Sequence, residues 1–205
     1  MIKLVIFDAG GVFLHEPGNN NGYIFREMAQ ACNVDYSAIE QAVNPLIPFY
    51  QRGDINDNKF WEEFKRLTGA TSIPENHSEL WTRPFLTNSR IDNQVLDLIQ
   101  RLRGNGYKTA VLSNTVPPHA RVNRERGLFK QFEPVILSCE VGCRKPEEAI
   151  YKLTAEKANV LPEECIFVDD ISKYVAAAQN TGMLGIVYKN VSQLESELRE
   201  KGVDV

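Results

Sequence analysis

The chain has 205 residues, of which 43% are hydrophobic and 24% are charged, with 13 glycines and 10 prolines. This ordinary globular composition excludes disordered and fibrous chains, and the length favours one core that carries an insertion over an array of domains. The formal net charge of −4 does not concentrate polyanions on the surface. We therefore expect no nucleic-acid partner, and we expect any phosphate to be bound by specific local groups.

The sequence gives no sign of a membrane segment or of export. Apolar stretches such as residues 183–188 are far shorter than the roughly 18 to 20 residues that cross a bilayer, and no basic-then-apolar leader precedes Ile2. The four cysteines have neither the spacing of a zinc site nor the density of a disulfide framework. We expect a soluble cytoplasmic protein without a membrane partner.

A short apolar run at residues 3–7 predicts a first strand that is buried on both faces. In residues 16–88, loops rich in Gly, Asn and Pro, such as residues 17–22, separate segments with helical spacing. Those segments are residues 23–32, 36–50, 57–67 and 75–81. We expect a helical insertion over the ligand-binding edge of a sheet. A helical subdomain that only enlarges the core is the alternative.

From residue 109 onward, strands and helices alternate, which is typical of a parallel sheet with right-handed crossovers. The predicted strands are residues 109–112, 134–137, 165–168 and 184–188, and the predicted helices are residues 91–102, 146–158, 171–181 and 192–201. The predicted fold class is α/β, a doubly wound, mainly parallel sheet. Residues 1–15 and 89–205 would form the core, and residues 16–88 a small helical cap.

Polar residues follow several of these strands at the point where each strand ends. In an open parallel sheet, the carboxyl ends of the strands form the edge at which ligands bind. The motifs there are Asp8-Ala9-Gly10-Gly11-Val12, Ser113-Asn114-Thr115, Arg144-Lys145-Pro146 and Asp169-Asp170. Each motif alone could simply cap a turn or a helix. In combination they indicate one functional site, because distant parts of the chain bring them to the same edge.

The residue types narrow the chemistry of this site. Two carboxylates about 4 Å apart repel by roughly 4 kcal/mol at an effective dielectric constant near 20, so three converging acids require a cation or raised pKa values. Oxygen ligands with little His or Cys nearby suit Mg²⁺. A metal ion, an ammonium group, a hydroxyl and backbone N–H groups around one carboxylate indicate phosphoryl transfer, with the carboxylate as a nucleophile that becomes an aspartyl phosphate.

The four motifs, in this order, resemble those of the haloacid-dehalogenase-like hydrolase superfamily, and the insertion is similar to that family's helical cap. The resemblance covers nearly the whole chain and implies a Rossmann-like core. It also suggests a branch, the one that contains the phosphatase domain of soluble epoxide hydrolases and bacterial sugar-phosphate phosphatases. The residues that resemble this branch are Arg52-Gly53-Asp54-Ile55 and Phe60-Trp61.

The resemblance implies a nucleophile and a Mg²⁺ site. Asp8 would be the nucleophile and also a metal ligand, and the backbone carbonyl of Gly10 would be a second ligand. Asp170 would bind the metal directly. Asp169 would act on the metal through water or would orient Lys145.

The resemblance also implies how the substrate, a small phosphorylated molecule, is held. Ser113, helped by Asn114, would bind the phosphoryl oxygens. Lys145 would neutralise charge on the nucleophile and on the phosphoryl group. The cap would exclude water and select the leaving group.

Gly10 is the main departure from the family pattern. Most phosphatases of this superfamily carry, two residues after the nucleophile, an Asp that protonates the leaving group. General acid–base catalysis contributes about 10²- to 10⁴-fold in rate, so its loss would slow turnover without abolishing it. We therefore expect anomeric, aryl or acyl phosphates to be hydrolysed better than phosphates of simple alcohols. His15 and Glu16 could replace the missing acid, although a hinge or surface role is the simpler interpretation.

Other residues carry less information. Lys173 and Tyr174 lie where many relatives have an Asn or Asp, which affects the outer shell of the metal. His77 and His119 have no partner identifiable from the sequence and are interpreted as surface or packing residues. Of the cysteines (Cys32, Cys139, Cys143 and Cys165), Cys139 and Cys143 are interpreted as loop or core thiols.

The sequence thus predicts a Mg²⁺-dependent phosphatase that acts through an aspartyl phosphate on Asp8. One alternative is a metal-independent haloacid dehalogenase, which the acid pair Asp169-Asp170 disfavours because it would repel an anionic haloacid. A phosphoryl-transfer mutase is disfavoured by Gly10. A catalytically weak phosphate-binding or regulatory protein is the alternative from another class.

Overall fold

The computed structural model describes residues 1–17 and 22–205 and contains a five-stranded parallel sheet. Its strands, together with two short additional ones, are β1 Leu4–Phe7, β2 Leu14–His15, β3 Arg90–Ile91, β4 Lys108–Ser113, β5 Val135–Leu137, β6 Cys165–Asp169 and β7 Leu184–Val187. The strand order is β5-β4-β1-β6-β7, and all four pairings are parallel. The predicted fold class, an α/β protein with a mainly parallel sheet, is confirmed.

Helices cover the sheet and fill the insertion between β2 and β3. Within the described residues they are α1 Gly22–Cys32, α2 Tyr36–Val43, α3 Ile47–Arg52, α4 Asp57–Thr68, α5 Glu79–Asn88, α6 Asn93–Gly104, α7 Pro117–Glu125, α8 Ser138–Val141, α9 Glu148–Lys157, α10 Ser172–Gln179 and α11 Val191–Glu200. None of the helices in these ranges is long and apolar enough to cross a membrane.

Two predictions in the insertion are wrong in detail. Residues 36–50 form two helices, because Pro45 lies between α2 and α3 and a proline inside a helix both lacks an N–H and clashes with the preceding turn. The segment predicted at residues 75–81 becomes helical only at Glu79. Most of the loop predicted at residues 17–22 lies outside the described residues.

Helices α7 and α8 were not predicted. Helix α7 begins with Pro117 and Pro118, and proline is tolerated at the first helical positions because their N–H groups have no partner within the helix. This helix starts just after the Ser113 motif, so it lies beside the ligand-binding edge. Residues of α7 therefore become candidates for the site.

The strands β2 and β3 join the start of the insertion to its end. They pair antiparallel, with Leu14 opposite Ile91 and His15 opposite Arg90. The backbone N–H of Asp92 donates to the Phe13 carbonyl at 2.9 Å, which extends this pairing. The chain thus leaves the core before α1 and returns to it after α5 at the same place, next to the loop that follows β1. The predicted cap boundaries at residues 16 and 88 stay a prediction.

The insertion shares a hydrophobic cluster with one face of the sheet. Val5 and Phe7 of β1 belong to the same buried cluster as Phe60 of α4 and Trp81 of α5. A second cluster, which includes Phe167, fills the opposite face. Because apolar burial contributes roughly 25 cal/mol per Å², the shared cluster holds the inserted helices against the carboxyl edge of the sheet.

Helix α10 packs so closely on β7 that Gly185 has no room for a side chain. A Cβ at Gly185 would overlap Cγ1 of Val175 and lie 3.1 Å from Cγ of Gln179. Gly185→Ala should therefore lower the free energy of unfolding by about 1–3 kcal/mol, measured by denaturant titration. Gly104→Ala is the control, because a Cβ there meets nothing within 4 Å and alanine favours a helix. Equal stability of the two variants would contradict the packing argument.

Candidate active site

A cavity of about 360 Å³ lies at the carboxyl ends of β1, β4 and β6. Its lining combines residues of the core with residues of the insertion, among them Gln51 of α3 and Trp81 and Phe85 of α5. Of the residues predicted to form the site, Asp8, Gly10, Ser113, Asn114, Lys145 and Asp170 all line this cavity. The structure thus brings together residues that are far apart in the sequence.

Asp8 is fixed at the end of β1. Its backbone N–H donates to the Val168 carbonyl at 2.8 Å, which continues the pairing of β1 with β6. The chain then turns tightly, and the Ala9 carbonyl accepts hydrogen bonds from the N–H groups of Phe13 at 3.1 Å and Leu14 at 2.9 Å. Asp8 is only 6% exposed, so its carboxylate is held in the wall of the cavity.

The two glycines after Asp8 differ in their surroundings. Gly11 has φ +79°, which L side chains rarely adopt, and a Cβ there would overlap the carboxylate of Asp170. Gly11 therefore lets Asp170 approach the turn closely. A Cβ at Gly10, in contrast, meets nothing within 4 Å, so open space exists at the position where the family pattern would place the second acid.

Lys145 is buried between two carboxylates. Its Nζ lies 2.8 Å from Oδ1 of Asp8 and 2.6 Å from Oδ2 of Asp169, and the residue is only 1% exposed. The ammonium group also lies 5.4 Å from the ring centroid of Phe167 and 5.1 Å from that of Tyr174. Tyr174 thus packs against the charge of the lysine.

Asn114 holds the backbone of Lys145. Its amide Oδ1 accepts from the Lys145 N–H at 2.8 Å, and its Nδ2 donates to the Lys145 carbonyl at 2.9 Å. In this structure the Asn114 amide is therefore committed to positioning the lysine, and its contact with substrate stays a prediction. Ser113, the last residue of β4, is 7% exposed and lines the cavity.

The three carboxylates of the site all have raised pKa values. Burial, and to a lesser extent the charge of Asp169, raise the pKa of Asp8 to about 6 against the opposing effect of Lys145. Burial likewise raises the pKa values of Asp169 and Asp170. Burial opposes the charge of Lys145, but Asp8 and Asp169 outweigh it and raise the pKa of the lysine. One ammonium group does not fully compensate three carboxylates.

The same carboxylates fit a divalent metal ion. Asp8, Asp169 and Asp170 each offer an oxygen, and these oxygens lie within 4.8 Å of one another. Both oxygens of Asp169 already have partners, because Oδ2 contacts Lys145 and Oδ1 accepts from the N–H of Ile171 at 2.8 Å. This arrangement suits the predicted role of Asp169 in orienting Lys145. An all-oxygen donor set favours Mg²⁺ over softer metals.

His15 and Glu16, which could replace the acid missing at Gly10, both contact other residues. Nε2 of His15 lies 3.4 Å from Oδ2 of Asp92, and Glu16 accepts a hydrogen bond from the hydroxyl of Tyr23. Both residues line the cavity, so their predicted role as substitutes for the missing acid stays a prediction. The four cysteines, all within the described ranges, are free thiols.

Three polar residues of the cavity were missed by the sequence interpretation. His119 and Asn123 of α7 and Gln51 of α3 line it. His119 is buried rather than exposed, and burial lowers its pKa to about 4. Its ring stacks on Phe85 at 3.9 Å between centroids. The two prolines at the start of α7 were a usable signal, because they mark a helix that starts at the ligand-binding edge.

Comparison with known proteins identifies relatives of this chain. It is 30% identical over 206 residues to mouse acyl-CoA dehydrogenase family member 10, covering 97% of this chain and 18% of that protein. It is 27% identical over 170 residues to rat bifunctional epoxide hydrolase 2, covering 78% of this chain and 30% of that protein. The chain therefore spans less than a third of the length of these two relatives.

Other relatives match this chain over nearly their full length. The D-ribitol-5-phosphate phosphatase of Bacteroides thetaiotaomicron is 24% identical over 206 residues, covering 97% of both chains. The crystal structure of a haloacid-dehalogenase (HAD) family enzyme from the same bacterium, in complex with magnesium and inorganic phosphate, has a TM-score of 0.76 and 24% identity, covering 95% of this chain and 99% of that one. At this identity, the structural likeness shows the fold.

The predicted family resemblance, including the epoxide hydrolase branch, is confirmed by these relatives. The haloacid dehalogenase-like hydrolase family matches residues 2–182, from the strand that precedes Asp8 through the helix that follows Asp170. The chain therefore belongs to the haloacid dehalogenase-like hydrolase family.

Proposed function

We propose that the protein is a Mg²⁺-dependent phosphatase that removes phosphate from a small organic molecule through an aspartyl phosphate on Asp8. The observation that carries this proposal is the position of Asp8 at the cavity wall, with one carboxylate oxygen 2.8 Å from the buried ammonium group of Lys145 and two further carboxylates alongside. This grouping places a nucleophile next to positive charge, as phosphoryl transfer requires.

The proposed reaction has two steps. A carboxylate oxygen of Asp8 attacks phosphorus, the bond from phosphorus to the leaving-group oxygen breaks, and that oxygen keeps the electron pair and takes up a proton. Water then attacks the phosphorus of the aspartyl phosphate, the bond to the Asp8 oxygen breaks, and inorganic phosphate and a proton are released. With a pKa of about 6, Asp8 is ionised and ready for attack at neutral pH.

Each neighbour contributes one function. Lys145 holds Asp8 in place and balances charge on the phosphoryl oxygens, and Asp169 holds Lys145 at 2.6 Å. The Ser113 hydroxyl donates to a phosphoryl oxygen. Asp8, Asp170 and the Gly10 carbonyl would hold Mg²⁺, which supplies positive charge to the phosphoryl group when bound.

The relatives support this reaction and a sugar-like substrate. One relative of equal length is named a D-ribitol-5-phosphate phosphatase, and one structural neighbour was solved with magnesium and inorganic phosphate. Because Gly10 offers no acid to protonate a departing oxygen, we propose that substrates with good leaving groups, such as anomeric sugar phosphates, are preferred.

The test of the proposal is turnover of a panel of acyl, aryl, anomeric sugar and simple-alcohol phosphates with Mg²⁺. We expect phosphate release that a chelator abolishes and that Mg²⁺ restores. Asp8→Asn should lower kcat by more than about 10³-fold, because the nucleophile is lost. Halide release from a haloacid that persists in chelator would instead indicate a dehalogenase. Phosphate binding without turnover of any member would indicate a binding protein.

Replacing Gly11 should weaken metal binding. Gly11→Ala would both strain the backbone and displace the Asp170 carboxylate, so we expect the affinity for Mg²⁺, measured by calorimetry, to fall at least about tenfold, a loss of about 1.4 kcal/mol. Gly69→Ala is the matched control, because Gly69 has a similar φ of +71° but open space around its Cβ. An equal affinity in both variants would show that the Asp170 contact does not matter.

Gly10→Asp should restore an acid to the open space beside the nucleophile. Because φ at Gly10 lies outside the left-handed region and a Cβ there meets nothing within 4 Å, a Cβ can be added at this position without strain. We expect kcat for phosphates of simple alcohols to rise by about 10²-fold or more, and kcat for aryl phosphates to change little. A plot of rate against leaving-group pKa measures this, and an unchanged slope would contradict the role assigned to Gly10.

A further inference from the structure

One positively charged side chain of the cavity wall has no part in the proposed reaction. Arg144 lines the cavity and is partly buried. Its Nε is enclosed in the wall, where a ligand cannot reach it. Its two terminal nitrogens, in contrast, are accessible and donate to no group in residues 1–17 and 22–205. Because a guanidinium group is always charged in proteins, Arg144 brings a positive charge and free donors to the cavity.

The acids nearest to Arg144 in the sequence do not neutralise this charge, because each is paired with a different cation. These pairs are Arg124 with Glu140, Arg52 with Glu147, and Lys152 with Glu148. The other cation of the cavity wall, Lys145, is held between Asp8 and Asp169 at 2.8 and 2.6 Å. Of the lysine and arginine side chains that line the cavity within the described ranges, Arg144 is thus the one without an anionic partner.

Arg144 lies in the part of the core against which helix α3 docks. Arg52, the last residue of α3, contacts the Gly142 carbonyl at 3.3 Å and Glu147 at 3.2 Å, on both sides of Arg144 in the sequence. Gln51, which precedes Arg52, lines the same cavity. Arg144 therefore belongs to the region of the cavity where the insertion meets the core. A leaving group that extends away from the nucleophile would enter this region.

We infer that Arg144 binds a second anionic group of the substrate, a carboxylate or a phosphate that the leaving group carries. This inference rests on the proposed phosphatase function and narrows its substrates to molecules with two anionic groups. The guanidinium fork matches the paired oxygens of a carboxylate or a phosphate and binds either with two parallel hydrogen bonds. A neutral leaving group would instead cover the charge of Arg144 without supplying a counter-ion, which is unfavourable.

The test uses pairs of substrates that differ in one anionic group. Gluconate 6-phosphate is compared with glucitol 6-phosphate, because the two differ only in a terminal carboxylate or hydroxymethyl group. Propane-1,3-diol bisphosphate is compared with its monophosphate, which tests a second phosphate. For the wild-type enzyme with Mg²⁺, we expect kcat/KM to be at least about tenfold higher for the doubly anionic member of at least one pair, because a charged hydrogen-bond partner is then available to Arg144.

Variants of Arg144 show whether this residue causes the preference. In Arg144→Met, the ratio of kcat/KM within the pair should fall about 10- to 100-fold, towards one. In Arg144→Lys it should fall less, because the ammonium group keeps the charge but not the fork. Lys157→Met is the matched control, because it removes a charge of the same sign from a residue that does not line the cavity. The ratio compares two substrates on one enzyme, so partial unfolding cannot change it.

The possible results distinguish this inference from the proposed function. If Asp8-dependent turnover is present but the members of each pair react equally, the inference is overturned and the phosphatase function stands. The same holds if Arg144→Met lowers both members of a pair alike, since Arg144 would then act on the transferred phosphoryl group. If no phosphate is turned over, the proposed function fails, and calorimetric binding of the same pairs with Mg²⁺ decides the inference. Tighter binding of a doubly anionic member, lost in Arg144→Met, supports it, and equal binding overturns it.

Discussion

The site depends on one buried ammonium group. Lys145 contacts Asp8 and Asp169 at 2.8 and 2.6 Å in a region almost without solvent, and Asp170 lies beside them. Without Lys145, burying these carboxylates in their ionised form would cost several kcal/mol for each charge. Even with it, the pKa of Asp8 stays raised to about 6 by burial. The site therefore lacks positive charge, which a bound metal ion can supply.

Much of the surrounding structure keeps Lys145 in place. Asn114 binds both backbone polar groups of the lysine, which links the loop after β4 to the loop that carries Lys145. From the insertion, Arg52 contacts Glu147 at 3.2 Å and the Gly142 carbonyl at 3.3 Å, in the segment around Lys145. Exposed ion pairs contribute little stability. We therefore interpret the Arg52 contacts mainly as a means of holding the insertion in a fixed position against this segment.

The sequence predicted the elements that have a regular spacing of apolar residues and the motifs that follow them. Buried parallel strands appear as short apolar runs, and their carboxyl ends share one edge, so the motifs around Asp8, Ser113, Lys145 and Asp169 could be placed together before any coordinates. The paired strands β2 and β3 were missed, because two residues are too few for a periodic signal. The break at Pro45 is visible in the sequence, but the continuing apolar spacing hid it.

By itself, the sequence determined the fold class, the family and the residues that converge at the edge of the sheet, because these depend on periodicity and on the order of motifs. Only the tertiary structure decided that Gly11 accommodates Asp170, that His119 is buried and neutral, and that Gln51, Trp81 and Asn123 lie in the wall of the cavity. The physical reason is that a side chain's partners depend on how separate helices dock against the sheet, and this docking leaves no local pattern in the sequence.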